Sequence, residues 1–310
     1  MARVRPSTPA AIEEAVRLLR AGRLVAFPTE TVYGLGALAG DPSAVAAVYR
    51  AKRRPAHNPL IAHLADGDAA RRIAAFDARA DRLAEAFWPG PLTLVLPLAA
   101  DADIVPAATA GLSTVAVRVP SHSTAEALLR EVGLPVVAPS ANPSGRVSPT
   151  TAQHVAAELG EAVDLVLDGG PCPVGLESTV VDLSEPEHAR LLRPGGLPRD
   201  RLEALLGGLR TVTPTDRPTS PGQLASHYAP AKPLRLNAAS AEAGEFLIGF
   251  GGVVGDASLS PTGDLVEAAA RLFDLLHEAD ASEKARIAVA SVPDNGLGAA
   301  INDRLRRAAA

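Results

Sequence analysis

The chain has 310 residues and a mass of 31.8 kDa, more than one hydrophobic core usually spans, so two domains are expected and a peptide hormone or small disulfide scaffold is excluded. Hydrophobic residues make up 47% and charged residues 21%, a globular balance that excludes broad disorder, and 3% aromatics argue against base-stacking platforms. The net charge of -5 argues against coating nucleic acid by bulk electrostatics, yet residues 1–60 carry +5 while the rest is negative, a focus of positive charge that suits a small anionic substrate.

Cys172 is the single cysteine, which excludes an intramolecular disulfide and a multi-cysteine zinc site and fits a reducing compartment. No apolar run approaches the roughly 20 residues needed to span a bilayer, and MARVRPSTPAAIEEAV lacks an apolar signal core, so no membrane association and a cytoplasmic location are expected.

Helical periodicity at 9–21 is followed by LVAFPTET (24–31), which reads as a strand running into a loop. A helix at 43–52, a strand at 59–64, helices near 68–87, strands at 92–97 and 114–119 and a helix at 123–131 come next. Strands at 135–138, 164–168, 178–183 and 189–193 and helices at 150–159 and 198–206 complete an α/β region, whose closely spaced late strands predict a mixed sheet. Between 207 and 234 the periodicity gives way to a Pro-, Gly-, Ser- and Thr-rich linker. Beyond it EFLIGF, a helix at 264–279, the strand ARIAVASV and a helix at 296–308 describe a small βαβ-type unit. The predicted domains are 1–206, a linker or lid at 207–234, and 235–310.

Walker-type loops, HExxH and GxSxG are absent. GFGGVVG (249–255) has GxGxxxG spacing and reads as a tight strand-to-helix turn rather than a dinucleotide site. Lys52, Arg53 and Arg54, beside Pro55, His57, Asn58 and Pro59, gather cations on a proline-stiffened loop. They suit either a phosphate clamp or a helix C-terminus balancing its dipole. Arg118 in VAVRVP is too expensive to bury without an anion, either an internal carboxylate, the commoner case, or a substrate carboxylate. The loop APSANPSGRVSPT (138–150) offers Ser140, Asn142 and Ser148 as donors between prolines that limit backbone freedom, as an anion cradle or an ordinary turn. Glycines in DGGPCPVGLESTVVDL set Glu177, Ser178 and Thr179 at a strand start, and Cys172 between prolines, with no nearby histidine, reads as an inert thiol. Histidines at 63, 122, 154, 188 and 277 show no metal-ligand spacing, and no protein-only metal site is expected.

Taken in order, PTETVYGLG, KRRPAHNPLIAHL, FWPGPLTLVLP, STVAVRVP, APSANPSGRVSPTTAQHV, GGPCPVGLESTVVDL and LLRPGG resemble the YrdC-like family, and the SPG…HYAP linker with its trailing unit resembles that family's long, two-domain form. The resemblance implies a twisted open mixed α/β sheet with a concave positive face, followed by a smaller Rossmann-like α/β domain. It implies a nucleotidyltransferase that makes threonylcarbamoyl-adenylate and pyrophosphate from L-threonine, bicarbonate and ATP, with Mg2+ held mainly by the ATP phosphates. Other enzymes, a threonylcarbamoyl transferase complex, would carry the product to adenosine next to a tRNA anticodon.

Matched residue by residue, Thr31, His63, Arg118, Ala138 and Ser178 fall on positions that hold L-threonine. Arg54, Asn58, Thr114, Ser140, Ser148, Arg193 and Tyr228 fall on positions that contact ATP, with Lys52 as a further phosphate ligand and Lys52 and Arg54 as the catalytic pair. Gln223, Leu224, Ala225 and Ser226 depart from a stretch that is commonly basic and aromatic in the family. An RNA-binding module and a carbamoyl-transfer domain using another donor are the competing readings, and the acidic net charge weighs against the first.

Overall fold

A computed structural model describes residues 3–211 and 227–310. The first region runs β1 (Val4–Pro6), α1 (Pro9–Arg20), β2 (Val25–Phe27), β3 (Gly34–Leu38), α2 (Pro42–Lys52), β4 (Ile61–His63), α3 (Gly67–Arg71), α4 (Ala78–Phe87) and β5 (Leu92–Pro97). It continues with β6 (Thr114–Arg118), α5 (Ser123–Val132), β7 (Val136–Val137), α6 (Ala152–Leu159), β8 (Leu165–Asp168), β9 (Thr179–Glu185), β10 (His188–Arg193), α7 (Arg199–Leu206) and β11 (Arg210–Thr211). The second has β12 (Leu234–Arg235), β13 (Glu245–Gly249), β14 (Ala257–Ser258), α8 (Leu265–Ala281), β15 (Arg286–Val289) and α9 (Leu297–Ala308).

Local chemistry sets the boundaries. Thr8, Asp41, Asp77 and Asp264 accept hydrogen bonds from the free amides of α1, α2, α4 and α8, and Pro9 and Pro42 start their helices where no donor is lost. On α1 the residues Ala11, Ile12, Ala15, Val16 and Leu19 form one buried stripe that packs with α5 residues Ala125, Leu128 and Leu129.

The first eleven strands form one twisted sheet in the order β1-β8-β2-β3-β7-β4-β6-β5-β9-β10-β11, with parallel pairs such as β4–β6 and antiparallel pairs such as β5–β6, the predicted mixed sheet. The second sheet, β12-β15-β13-β14, is parallel throughout, as expected of a Rossmann-like unit. Among the described residues no helix is long and apolar enough to cross a membrane.

Some elements differ from the sequence reading. The segment GLGAL forms β3 where no strand was expected. A Cβ on Gly36 would lie 2.9 Å from the Phe27 ring and 3.0 Å from the Val25 carbonyl oxygen, so glycine is what lets β3 pair closely with β2. LVAFPTET is, as expected, a strand running into a loop, with the strand ending at Phe27. GFGGVVG is a tight turn, but it leads to β14, which pairs parallel with β13, and α8 starts only at Leu265. Most of the linker, including Gln223 to Ser226, lies outside the described residues.

The two units share a core. Val32, Val147, Leu176 and Tyr228 pack into the cluster built on Phe246, Ile248, Leu272 and Phe273. Gly175, at φ 70°, lies where a Cβ would meet the Ala269 carbonyl oxygen at 2.5 Å, so α8 rests on the backbone just before Glu177 and Ser178.

Candidate active site

The C-terminal ends of parallel β4 and β6 open the site. His63 and Arg118 are register partners at those ends, the usual location of a ligand crevice in an open α/β sheet. A cavity of about 40 Å³ lies beside them, lined by Thr31, Arg54, His63, Arg118, Ala138, Ser140, Ser178, Arg193 and Tyr228 among the residues singled out from sequence. Val32, Ile61, Pro139, Glu177 and His227 complete its wall. These side chains come from positions 31 to 228, so the sheet does the gathering. A larger cavity of about 290 Å³ lies between β10 and α9, but of the predicted residues only Arg193 reaches it.

Each side chain is fixed by its own local cause. Thr29 Oγ1 donates to the Val32 carbonyl at 2.7 Å, which leaves the Thr31 hydroxyl to donate to Thr29 Oγ1 at 2.7 Å. Arg53 ends α2 in the left-handed region at φ 50° and turns the chain so that Arg54 folds back onto its own loop. Arg54 Nε donates to the Asn58 carbonyl at 3.0 Å, and Nη2 donates to Asn58 Oδ1 at 2.6 Å and to the Pro59 carbonyl at 2.8 Å. Lys52 Nζ donates to the carbonyls of Ser140 and Asn142, both at 2.5 Å, pinning the serine loop to the end of α2. Arg193 donates to the Ser178 carbonyl at 3.0 Å and to its Oγ at 3.1 Å. Thr93 Oγ1 lies 2.7 Å from the same Ser178 hydroxyl.

The electrostatics are lopsided. Lys52 is 1% exposed and Arg54 8%, and their hydrogen bonds go to neutral oxygens. Burial, then Arg54's charge, pulls the Lys52 pKa well below the usual lysine value. Burial brings Arg54 down to about 10. Burial likewise lowers the Arg193 pKa. Asn58 Nδ2, His227 Nδ1 and the Tyr228 hydroxyl are buried without a hydrogen-bond partner among the described residues. On the wall itself Arg54, a desolvated cation on neutral acceptors, lies with the orphaned polar atoms of His227 and Tyr228, an arrangement suited to an anion.

Arg118 answers the question its sequence left open. Its Nη2 lies 2.8 Å from Glu30 Oε1, both side chains being buried, while Nε donates to the Gly90 carbonyl at 3.3 Å. The internal carboxylate is present, and Arg118 still lines the cavity. Glu30, within the PTET motif, is the partner that sequence reading missed; the buried arginine was the signal that one existed. Asn58 and Lys52 stand behind Arg54 and the serine loop. Ser148 lies behind the wall too, donating to Glu177 Oε1. Thr114 is not brought to the cavity: it begins β6 and Arg118 ends it, so roughly 13 Å of strand separates them. Cys172 is buried in an apolar cluster and burial raises its pKa, which suits an inert thiol.

Helix packing also brings together histidines far apart in sequence. His154 and His277 stack with ring centres 3.9 Å apart across the boundary between α6 and α8. Burial lowers both pKa values to about 4, and burial, with Arg118 adding to it, lowers His63 to about 3. These groups bind protons less readily folded than unfolded, so stability is lost as pH falls below about 6.5 and the loss levels off near their folded values. Fully buried His63 alone should cost about 2 kcal/mol at pH 5. Urea unfolding at pH 7.5 and pH 5 checks this: His63→Asn should shrink the difference by about that amount, leaving the part due to the other histidines whose pKa burial lowers, among them His122, His154, His227 and His277.

The sequence and fold of the chain are similar to those of known proteins. The family model described as Telomere recombination (Sua5, YciO and YrdC) matches residues 17–195, and that described as Threonylcarbamoyl-AMP synthase, C-terminal domain, matches residues 197–310. The chain is 42% identical to the threonylcarbamoyl-AMP synthase of Bacillus subtilis over 96% of its own length and 92% of that protein's. It is 41% identical to the Pyrococcus abyssi protein of the same name, over 96% and 93% of the two lengths. Its structure matches the crystal structure of P. abyssi Sua5 complexed with L-threonine at a TM-score of 0.91 and 38% identity, covering 100% of this chain and 97% of that one. Two domains matched in sequence order, with one fold shared along the whole chain, leave a single conclusion: the chain belongs to the Sua5–YciO–YrdC family of nucleotidyltransferase-type enzymes, in the two-domain form of the threonylcarbamoyl-AMP synthases.

Proposed function

We propose that the protein forms threonylcarbamoyl-AMP and pyrophosphate from L-threonine, bicarbonate and ATP, as the activated donor for modifying adenosine next to a tRNA anticodon. The observation that carries this reading is Arg54, a buried cation held by neutral oxygens in the wall of a cavity that also carries Thr31, His63, Arg118 and Ser178, with the buried Lys52 behind it on the serine-loop carbonyls. One side suits a triphosphate and the other an amino acid.

In the reaction, the free amine of threonine adds to CO2 derived from bicarbonate and loses a proton, giving a carbamate. A carbamate oxygen then bonds to the α-phosphorus as the bond to the bridging oxygen breaks, and pyrophosphate leaves with the electron pair. No protein nucleophile is required; alignment and charge neutralisation supply the acceleration.

On the threonine side, Arg118 has guanidinium edge left for the substrate carboxylate. His63 donates Nδ1–H to the Ile61 carbonyl at 3.1 Å, and the neutral ring then has Nε2 as its acceptor for the ammonium or hydroxyl. Thr31, Ser178 and the backbone at Ala138 line the same end. On the nucleotide side, Arg54 and Arg193 face the phosphates with Ser140 and Tyr228 as polar and aromatic contacts, Lys52, Asn58 and Ser148 support them from behind, and Thr114 is given no contact at this cavity. Among the described residues no cluster of three His, Cys, Asp or Glu side chains is spaced to hold a metal, so Mg2+ is taken to arrive on the triphosphate, where it would neutralise phosphate charge.

A volume of about 40 Å³ has room for little more than a few waters, so the wall must yield to admit substrates. His227 and Tyr228 stand on the wall within the segment that the sequence offers as a lid, and we take 207–234 as that lid. Limited proteolysis within it should slow when ATP and threonine are added together. Unchanged cleavage would remove the lid.

The decisive test of the whole reading is mass spectrometry of products after incubation with ATP, 13C-bicarbonate and a mixture of amino acids. Labelled threonylcarbamoyl-AMP, formed only with all three reactants, is expected. Its absence, together with nucleic-acid affinity that falls steeply with salt, would replace the synthase with an RNA-binding module.

A further inference from the structure

Arg304 lies on α9, in the second unit, and is fully buried, yet one of its partners, Glu177, stands on the active-site wall. Nε donates to Glu177 Oε2 at 2.7 Å, Nη2 to the Pro194 carbonyl at 3.0 Å and Nη1 to Asp303 Oδ2 at 2.5 Å. The other Glu177 oxygen accepts from Ser148 on the serine loop at 2.5 Å. One carboxylate on the cavity wall is therefore shared between the second unit and the loop assigned to the nucleotide.

The same guanidinium carbon lies 4.8 Å from the centre of the Tyr228 ring, and that of Arg307 lies 5.0 Å from it. Tyr228 needs such holding. Its φ of 67° is the left-handed conformation that a bulky residue adopts only under constraint. His227 meets its ring edge-on at 4.1 Å and Phe273 of α8 stacks at 5.7 Å. A cation over an aromatic face in a desolvated site is among the stronger contacts of its kind. An ion pair that merely docked two domains could sit anywhere along the interface; this one has both its anion and its aromatic acceptor on the cavity wall.

We propose that Arg304 is a positioning residue for the reaction: from the second unit it fixes the Glu177 carboxylate and the Tyr228 ring, and through them the nucleotide side of the cavity. This rests on the reading that the cavity takes ATP. The full-length chain with Arg304→Met, with Arg304→Lys and with the double change Glu177→Gln/Arg304→Met would be compared with the unaltered protein by thermal unfolding, by KM for ATP and for threonine in pyrophosphate release, and by calorimetric ATP affinity.

Arg304→Met should raise the ATP KM about tenfold or more and move the threonine KM less than about threefold. Arg304→Lys, which keeps the charge but loses the planar fork, should recover part of the loss. The double variant leaves no buried carboxylate unpaired, so it should melt close to the unaltered protein and still bind ATP poorly. A double variant that melts normally and binds ATP normally overturns the proposal, as does an equal rise in both KM values across the series. If the unaltered protein binds ATP but releases no pyrophosphate, the synthase reading falls, and the calorimetric series still decides the role of Arg304.

Discussion

Replacing Arg54 by alanine should lower threonine-dependent pyrophosphate release by roughly 100-fold or more while leaving the fold in place. The reason is the residue's unusual state. Its guanidinium is 8% exposed and bonded to the Asn58 and Pro59 carbonyls and to Asn58 Oδ1. Those acceptors are neutral, so the positive charge is held by the fold and cancelled by nothing it touches. Such a charge is a burden on the empty protein and an asset when phosphate oxygens arrive, which is how preorganised electrostatic catalysis is built.

Stability should move little in Arg54→Ala, by less than about 2 kcal/mol, because relief of cation burial offsets the acceptors left unpaired. Thermal unfolding and stopped-assay pyrophosphate release on the same samples check both halves. Turnover near that of the unaltered protein refutes the catalytic role. A collapse of the melting temperature would mark Arg54 instead as a clasp for the loop at 54–59.

How far the sequence could carry this picture depends on where each constraint is stored. The cationic loop at 52–58 and the serine loop at 138–150 announce themselves through charge, proline and small polar residues, all local properties. The partner of Arg118 does not: hydrophobic neighbours on both sides signalled that an anion was required, but Glu30 reaches it only because the PTET loop and the end of β6 converge. Thr114 shows the converse. Its motif is contiguous with Arg118, yet a strand separates residues near in sequence by lengthening the chain between them. Strand β3 was hidden because Gly34 and Gly36 lower strand propensity, while their missing side chains are what its neighbours require. Arg304 was invisible in principle, since 127 residues separate it from Glu177 and nothing in α9 alone distinguishes it from the arginines at 306 and 307.

For Arg118 the expectation is twofold, because the residue has two anions to answer to. Arg118→Ala should abolish measurable threonine binding and also destabilise the protein by about 3 to 5 kcal/mol, since Glu30 would be left as a buried charge with its counterion gone. The double variant Glu30→Gln/Arg118→Ala separates the roles. With no unpaired charge to bury, it should regain most of the stability while threonine affinity stays lost and ATP affinity changes less than about threefold. Isothermal titration with each substrate, beside urea unfolding, measures all of these. Threonine binding restored along with stability would make the Glu30–Arg118 pair purely structural. Threonine and ATP affinity lost in equal measure would mean that the pair supports the whole cavity rather than the amino-acid end of it.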